Sequence, residues 1–248
     1  MSFTDLFSER ADLYVSARPR YPSDLFAFVA SKAPALGRTW DCGTGNGQAA
    51  LSLAAHFSEV LATDPSQDQI AQATPAENIR YSVQRAEQTD FPARHFDAIC
   101  VAQALHWFDF DAFFTEAKRV AKPGALFAAW GYSWPNVTPR FDKAFKASVR
   151  DILEPYWASQ NRLLWNGYAE VLFPFPRLAT PSFQISARWT FDQFMAYIGT
   201  WSATRKCMSE IGSGFLSDAV RTLQPLWDSR EATREVGMPL CILAGYVH

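Results

Sequence analysis

At 248 residues, with a net charge of −2 and a pI of about 6.1, the chain has room for one ordinary domain or one domain with a sizeable insertion. Its lysines and arginines are scattered rather than banded, so no footprint for nucleic acid is present, and no apolar run reaches the ~18 residues of a membrane span. The 48% hydrophobic and 19% charged fractions are those of a globular protein, and the opening Met1-Ser2-Phe3 is no signal peptide, which predicts a cytoplasmic protein.

The first segment carries Tyr14, Arg18, Pro19, Tyr21 and Pro22 and reads as an ordered, non-helical crossing, because the prolines restrict the backbone and remove N–H donors. Tyr14, Arg18 and Tyr21 are either packing residues or a flap over a ligand. A helix follows from Ser23 to Ala33, with Asp24 in its first turn and Pro34 beyond its end.

The stretch Trp40-Asp41-Cys42-Gly43-Thr44-Gly45-Asn46-Gly47-Gln48 ends an apolar run on an acid and opens into three alternating glycines. Such a loop turns sharply and brings its backbone N–H groups close to a ligand, with a helix over 48–57 behind it. A dinucleotide fingerprint requires glycine where Gln48 stands, and a phosphate loop requires a Gly-Lys-Ser/Thr that is missing here. Cys42 is a small residue that fits among the glycines. The four cysteines, 42, 100, 207 and 241, have no metal-ligand spacing and read as free buried thiols, and no metal site is expected.

From here strands and helices alternate. Strand-like runs fall at 39–42, 60–63, 79–84, 96–102 and 125–132, and helical patterns at 48–57, 66–73 and 110–121. That alternation predicts βαβ units, a parallel α/β sheet and a ligand beyond the strands' carboxyl ends. The second strand ends in Asp64, 23 residues after Asp41, where a carboxylate suits the two hydroxyls of a ribose or else caps the helix that follows Pro65. After the third strand, Ala86 and Glu87 could flank an adenine ring. The fourth strand runs into Gln103-Ala104-Leu105-His106-Trp107 at the mouth of the site.

These residues carry a family resemblance. Asp41-x-Gly43-x-Gly45-x-Gly47, Asp64, Ala86-Glu87, the strand from Phe96-Asp97 to Gln103-Ala104-Leu105-His106-Trp107, and Lys122-Pro123-Gly124 together resemble the class I S-adenosylmethionine-dependent methyltransferases. The subgroup they resemble most is the small-molecule type 11 group with its trans-aconitate and juvenile-hormone-acid relatives, whose Tyr-x-x-x-Arg-Pro-x-Tyr-Pro pattern matches Tyr14 to Pro22. The likeness covers about residues 3–131. Cys42 departs from the larger aliphatic residue more usual in the family.

The resemblance implies a Rossmann-like, seven-stranded, mostly parallel sheet with helices on both faces, its last strand antiparallel, and S-adenosylmethionine as cofactor. It implies that the loop Gly43, Thr44, Gly45, Gly47 carries the methionine part, Asp64 the ribose, Ala86 and Glu87 the adenine edge, and the Gln103 backbone the neighbourhood of the sulfonium. Asp41, Gln48, Pro65 and Ala104 complete the cofactor-binding set, and Tyr14 and Arg18 close over it.

The remainder holds six of the nine tryptophans, and nine aromatic residues fall between Trp134 and Phe175 among repeated prolines. This predicts a helical lid over 133–180, aromatic-walled or simply a packed insertion, between a cofactor core over 1–132 and closing strands within 181–248. The closing strands are placed at 183–189 and 239–247, with helices at 191–201 and 215–227. Trp107 and Trp134 are the candidate substrate-facing residues, Trp107 as part core and part wall.

Methyl transfer from a sulfonium is an in-line displacement that needs alignment, and a base only where the acceptor is protonated at neutral pH. His106 is the histidine placed to act as that base; its bland alternative is local packing with Trp107. The expected activity is methyl transfer to a small, partly apolar molecule, with a carboxylate oxygen among the acceptors. The alternative is a catalytically silent protein that binds S-adenosylmethionine on the same fold.

Overall fold

A computed structural model of the chain describes residues 19–248, so Tyr14 and Arg18 of the expected flap lie outside the described residues. Seven strands form one sheet: β1 (Arg38–Cys42), β2 (Glu59–Asp64), β3 (Ile79–Val83), β4 (Phe96–Ala102), β5 (Ala121–Tyr132), β6 (Gln184–Trp189) and β7 (Arg234–Tyr246), in the order β3-β2-β1-β4-β5-β7-β6. β1 pairs in parallel with both β2 and β4, and β7 runs antiparallel to β5. This is the parallel sheet that the alternation of elements predicts, in the Rossmann-like, seven-stranded form with an antiparallel last strand that the resemblance implies.

Strand order reverses at β1, whose successor by sequence lies on one side and β4 on the other. That reversal opens a crevice beyond the carboxyl ends of β1 and β4. The loops after Cys42 and Ala102 flank it.

The central strands β1, β4 and β5 are buried on both faces along most of their length, and the period of two in side-chain direction sorts their residues between two cores. Trp40, Cys42, Ile99, Val101, Phe127 and Ala129 join one, packed with Phe113 and Ala117 of the helix Phe110–Val120. Ala98, Cys100, Leu126, Ala128 and Trp130 join the other, against Leu25, Phe26 and Val29 of the helix Ser23–Lys32 and Leu53 of the helix Gln48–Ala54. Trp40 is wholly buried, and its indole N–H donates to Thr63 Oγ1 at 2.8 Å, so it leaves no unmade donor. Tyr21 packs edge-on against Phe26, Trp130 and Tyr132, which makes it a packing residue.

The chain divides into two compact units. One holds Tyr21–Ser133, Gln160–Gln184 and Pro239–His248; the other includes Trp134–Ser159 and Ile185–Met238. Residues 160–184 therefore belong with the parallel strands, and Leu164, Tyr168, Val171 and Phe175 enter their core.

The second unit has an aromatic core of its own. Phe141 and Phe145 of the helix Pro139–Phe145 meet Phe194 of the helix Phe191–Gly199, and Phe141, Phe191 and Phe194 surround Trp227. Thr190 and Gln193 close a reciprocal capping box at the start of Phe191–Gly199. A helix over Ser202–Ile211, which the sequence does not suggest, buries Ala203, Thr204 and Cys207 and is otherwise mostly polar.

Cys42, Cys100 and Cys207 are free and buried, as expected; Cys241 is free but only partly covered. Among the described residues no helix is long and apolar enough to cross a membrane.

Candidate active site

The glycine loop begins where β1 stops. Gly43 and Gly47 both hold φ in the left-handed region, +71° and +84°. A Cβ on Gly43 would stand 2.6 Å from the Ala104 Cβ, and one on Gly47 would strike the Tyr81 hydroxyl, so close approach as well as φ reserves both positions for glycine. The N–H groups of Gly43 and Thr44 both donate to the Thr63 carbonyl at 2.9 Å, which ties the loop to β2.

Asp41, the last acid of β1, is fully buried. Thr44 Oγ1 donates to its Oδ2 at 2.5 Å, whereas Oδ1 is buried with no hydrogen-bond partner among the described residues. Burial pushes its carboxyl up to about 6, and the charge of Asp64 adds to this; the Thr44 hydroxyl and the Ala50 backbone oppose it. An orphaned carboxylate oxygen beneath a glycine cradle suits a cationic group.

Asp64 stands at the end of β2. Its Oδ2 accepts from Gly45 N and its Oδ1 from Ser66 N, both at 2.9 Å. The helix Gln67–Ala71 is capped by Ser66, whose hydroxyl accepts from Gln69 N, so the carboxylate is not the cap. Each of its oxygens keeps a lone pair beyond the backbone contact, as an acceptor of two vicinal hydroxyls requires.

Gly43, Pro65, Arg85, Ala86, Glu87, Trp107 and Phe108 line a cleft of about 210 Å³. Ala86 is buried. Glu87 accepts from Asp109 N through Oε1 and pairs with Arg85 through Oε2, both at 3.3 Å. Trp107 is 53% exposed; it is a wall of this cleft and no part of the core, because the short 3₁₀ turn Leu105–Trp107 sends Leu105 and His106 inward and the indole outward.

Gln103 leaves β4 with φ +56°. Its N–H donates to the Trp130 carbonyl at 2.8 Å, and its side chain pairs with the Tyr132 backbone, Nε2 to the carbonyl at 3.0 Å and Oε1 from the N–H at 2.9 Å. The side chain is thus a staple to β5, while the backbone beside it faces the crevice end of the sheet.

His106 is 3% exposed, and burial lowers it to about 4, so it is neutral at physiological pH. Its Nδ1 lies 3.2 Å from the Tyr168 hydroxyl. Burial raises Tyr168 above the usual phenol range, so the hydroxyl keeps its proton. The arrangement that leaves no buried O–H unmade has Tyr168 donating to Nδ1 and the ring proton on Nε2. Sequence reasoning gave no role to Tyr168 or Tyr81. Nothing local marks Tyr168, which reaches His106 across 62 residues of chain.

Gln48 opens the helix Gln48–Ala54 behind the loop. Trp134 belongs to the second unit, where its ring lies 6.0 Å from Trp157 and 5.6 Å from Trp201.

A family model for a methyltransferase domain matches residues 40–129, which span the cradle, Asp64, Glu87 and the end of β4. A solved structure from Anaeromyxobacter dehalogenans, described as a type II methyltransferase, superposes with a TM-score of 0.87 at 40% identity over 93% of this chain and 98% of its own. A Dictyostelium discoideum protein described as a methyltransferase is 28% identical over 204 residues, 81% of this chain and 78% of its own. A fatty-acid O-methyltransferase of Mycolicibacterium smegmatis is 31% identical over 130 residues, half of this chain and 46% of its own. With a glycine cradle, a buried acid beneath it and a relative matched along nearly its whole length, the chain belongs to the class I S-adenosylmethionine-dependent methyltransferases.

Proposed function

We propose that the enzyme methylates a small, partly apolar molecule at a carboxylate oxygen. The observation that carries this reading is the state of His106: a neutral, buried imidazole with a conjugate acid at about 4 is a weak base, better suited to donating a hydrogen bond from Nε2 than to removing a proton. A carboxylate is already ionised at neutral pH and needs no such removal. The relative that methylates fatty acids at oxygen supports the same acceptor class.

S-adenosylmethionine supplies, when bound, a sulfonium-borne methyl group and leaves as the neutral thioether. The chain's part is to hold it: the backbone of Gly43, Thr44, Gly45 and Gly47 with Gln48 for the methionine portion, Asp41 beneath it as the counter-charge, Asp64 and Pro65 for the ribose, Ala86 and Glu87 for the adenine edge, and the Gln103-Ala104 backbone near the sulfur. Trp107 walls the cleft. Tyr168 fixes the His106 ring so that its donor does not wander; the larger effect is holding methyl donor and acceptor in line, which is worth about 7–11 kcal/mol in favourable cases.

The test is a panel of carboxylic acids, phenols and amines of matched size, incubated with isotopically labelled cofactor and read by mass spectrometry. Methyl esters of the acids are expected, and His106→Ala should spare acid turnover within about tenfold. Methylation of phenols or amines with no ester formed would overturn the acceptor assignment.

A further inference from the structure

We infer that Arg150, in the second unit, is the recognition residue for a small organic anion with an apolar body. Its guanidinium carbon lies 4.3 Å from the centroid of the Trp134 ring, a cation–π contact. The Trp134, Trp157 and Trp201 rings stand within 6.0 Å of one another, and Tyr197 meets Trp201 at 5.6 Å, so the charged fork is set beside an aromatic surface.

What points to a ligand is the state of the guanidinium. Its Nε is buried with no hydrogen-bond partner among the described residues. Among the described residues the carboxylates that act on it do not answer it: both oxygens of Asp151 are held by Lys146 Nζ, at 2.7 and 2.9 Å, and Asp151 and Glu154 reach Arg150 only through space. Burial is the larger influence on Arg150 and disfavours its charge. A buried N–H without an acceptor is a standing cost that the cation–π contact with Trp134 does not remove, because that contact is not a hydrogen bond to an acceptor. A carboxylate approaching edge-on would take Nε and a terminal N–H together, the paired geometry that arginine favours over lysine.

The backbone supplies a second, independent observation. Arg150 is the last residue of a π-helical turn, Lys146–Arg150, set between the helix Pro139–Phe145 and the short helical stretch Asp151–Leu153. A wide turn inside a helix is less stable than regular helix and is found mostly where a side chain must be re-aimed for function. Here the turn ends on an arginine that no acid among the described residues pairs with.

The ligand class, a small carboxylate, rests on the acceptor reading proposed above, whereas the anion site rests on Arg150 itself. The test uses the full chain, with calorimetry and tryptophan fluorescence, and octanoate and phenylacetate as probes against their amides and methyl esters. In the native protein the acids should bind and quench while the amides bind about tenfold more weakly or worse. Arg150→Met should weaken the acids by about tenfold or more and erase the acid–amide difference, and Arg150→Lys should retain part of it. Affinity for S-adenosylhomocysteine should be the same in all three proteins.

Equal binding of acid and amide by the native protein, no binding of either acid, or unchanged acid affinity in Arg150→Met would overturn the inference. Should Arg150→Met fail to fold, the acid–amide ratio of Arg150→Lys decides, and a native-like ratio there counts against the site. Ester formation with an indifferent Arg150→Met removes this inference and leaves the acceptor class standing. A lost acid preference without any ester product does the reverse.

Discussion

The Tyr168 hydroxyl lies 3.2 Å from His106 Nδ1, and Tyr168 reaches it from a left-handed backbone, φ +59°, that costs a non-glycine residue roughly 1–2 kcal/mol. Tyr168→Phe removes the donor and leaves Nδ1 buried and unmet, an expected loss of about 1–3 kcal/mol in chemical unfolding. An unfolding midpoint equal to that of the native protein would show that the pair contributes nothing.

His106 also gives stability a pH dependence. Its folded pKa of about 4 lies below the ordinary value of 6.5, so between these values the unfolded chain binds the extra proton. The contribution is complete above pH 6.5 and is lost as pH falls toward 4, on the order of 3 kcal/mol in all. Urea titrations across that range should show a shallower decline for His106→Gln than for the native chain. Parallel declines would mean that the imidazole titrates normally.

Asp41 acts with the opposite sign. Its folded pKa of about 6 exceeds the ordinary 3.8, so the free protein gains stability as pH falls through 6 and the buried carboxylate takes up a proton. Cofactor affinity should move the other way and weaken below pH 6, since protonated Asp41 offers no counter-charge. Calorimetry beside thermal melts over pH 5–7.5 checks both trends, and Asp41→Asn should flatten each. Two trends of the same sign would rule out the assigned role.

Asp64→Ala removes the proposed ribose acceptor together with the tether to Gly45 and Ser66. Loss of two charge-assisted hydrogen bonds of about 1.5–3 kcal/mol each implies at least tenfold weaker binding of S-adenosylmethionine. Unchanged affinity would sink the ribose assignment. Ser66→Ala, which loses only the helix cap, should leave affinity nearly as it was.

Gly43→Ala places a methyl against Ala104 at a positive φ, an expected destabilisation of about 1–3 kcal/mol. Pairing it with Ala104→Gly should recover the steric part and leave the torsional part. Additive losses in the double variant would show that the two residues do not touch.

Much of this was legible along the chain because it is local. β4 occupies Phe96–Ala102 as its apolar run predicts, and the acids at the ends of β1 and β2 fall where the glycine loop and strand endings set them. What escaped depends on partners far away in sequence. β5 begins at Ala121 rather than 125, because pairing with β4 continues around an irregularity between Phe96 and Ala98 while Lys122-Pro123-Gly124 reads as a turn. β7 begins at Arg234 rather than 239, since Gly237 bridges to Asn136. Trp107 reads as partly core in the sequence and is a cleft wall in the structure, because a three-residue 3₁₀ turn has no periodicity to show which way it faces.

Gln103 pairs with Tyr132 as though its carboxamide were a peptide unit, so the sheet is one rung longer there than its backbone. The chain can therefore bend away at β4 without fraying: Ala104 and His106 inherit the stiffness of a strand rather than the drift of a loop. In hydrogen exchange, Tyr132 should count as an interior amide although its partner is a side chain. A change of one atom, Gln103→Glu, turns that last rung from a splice into a repulsion against the Tyr132 carbonyl.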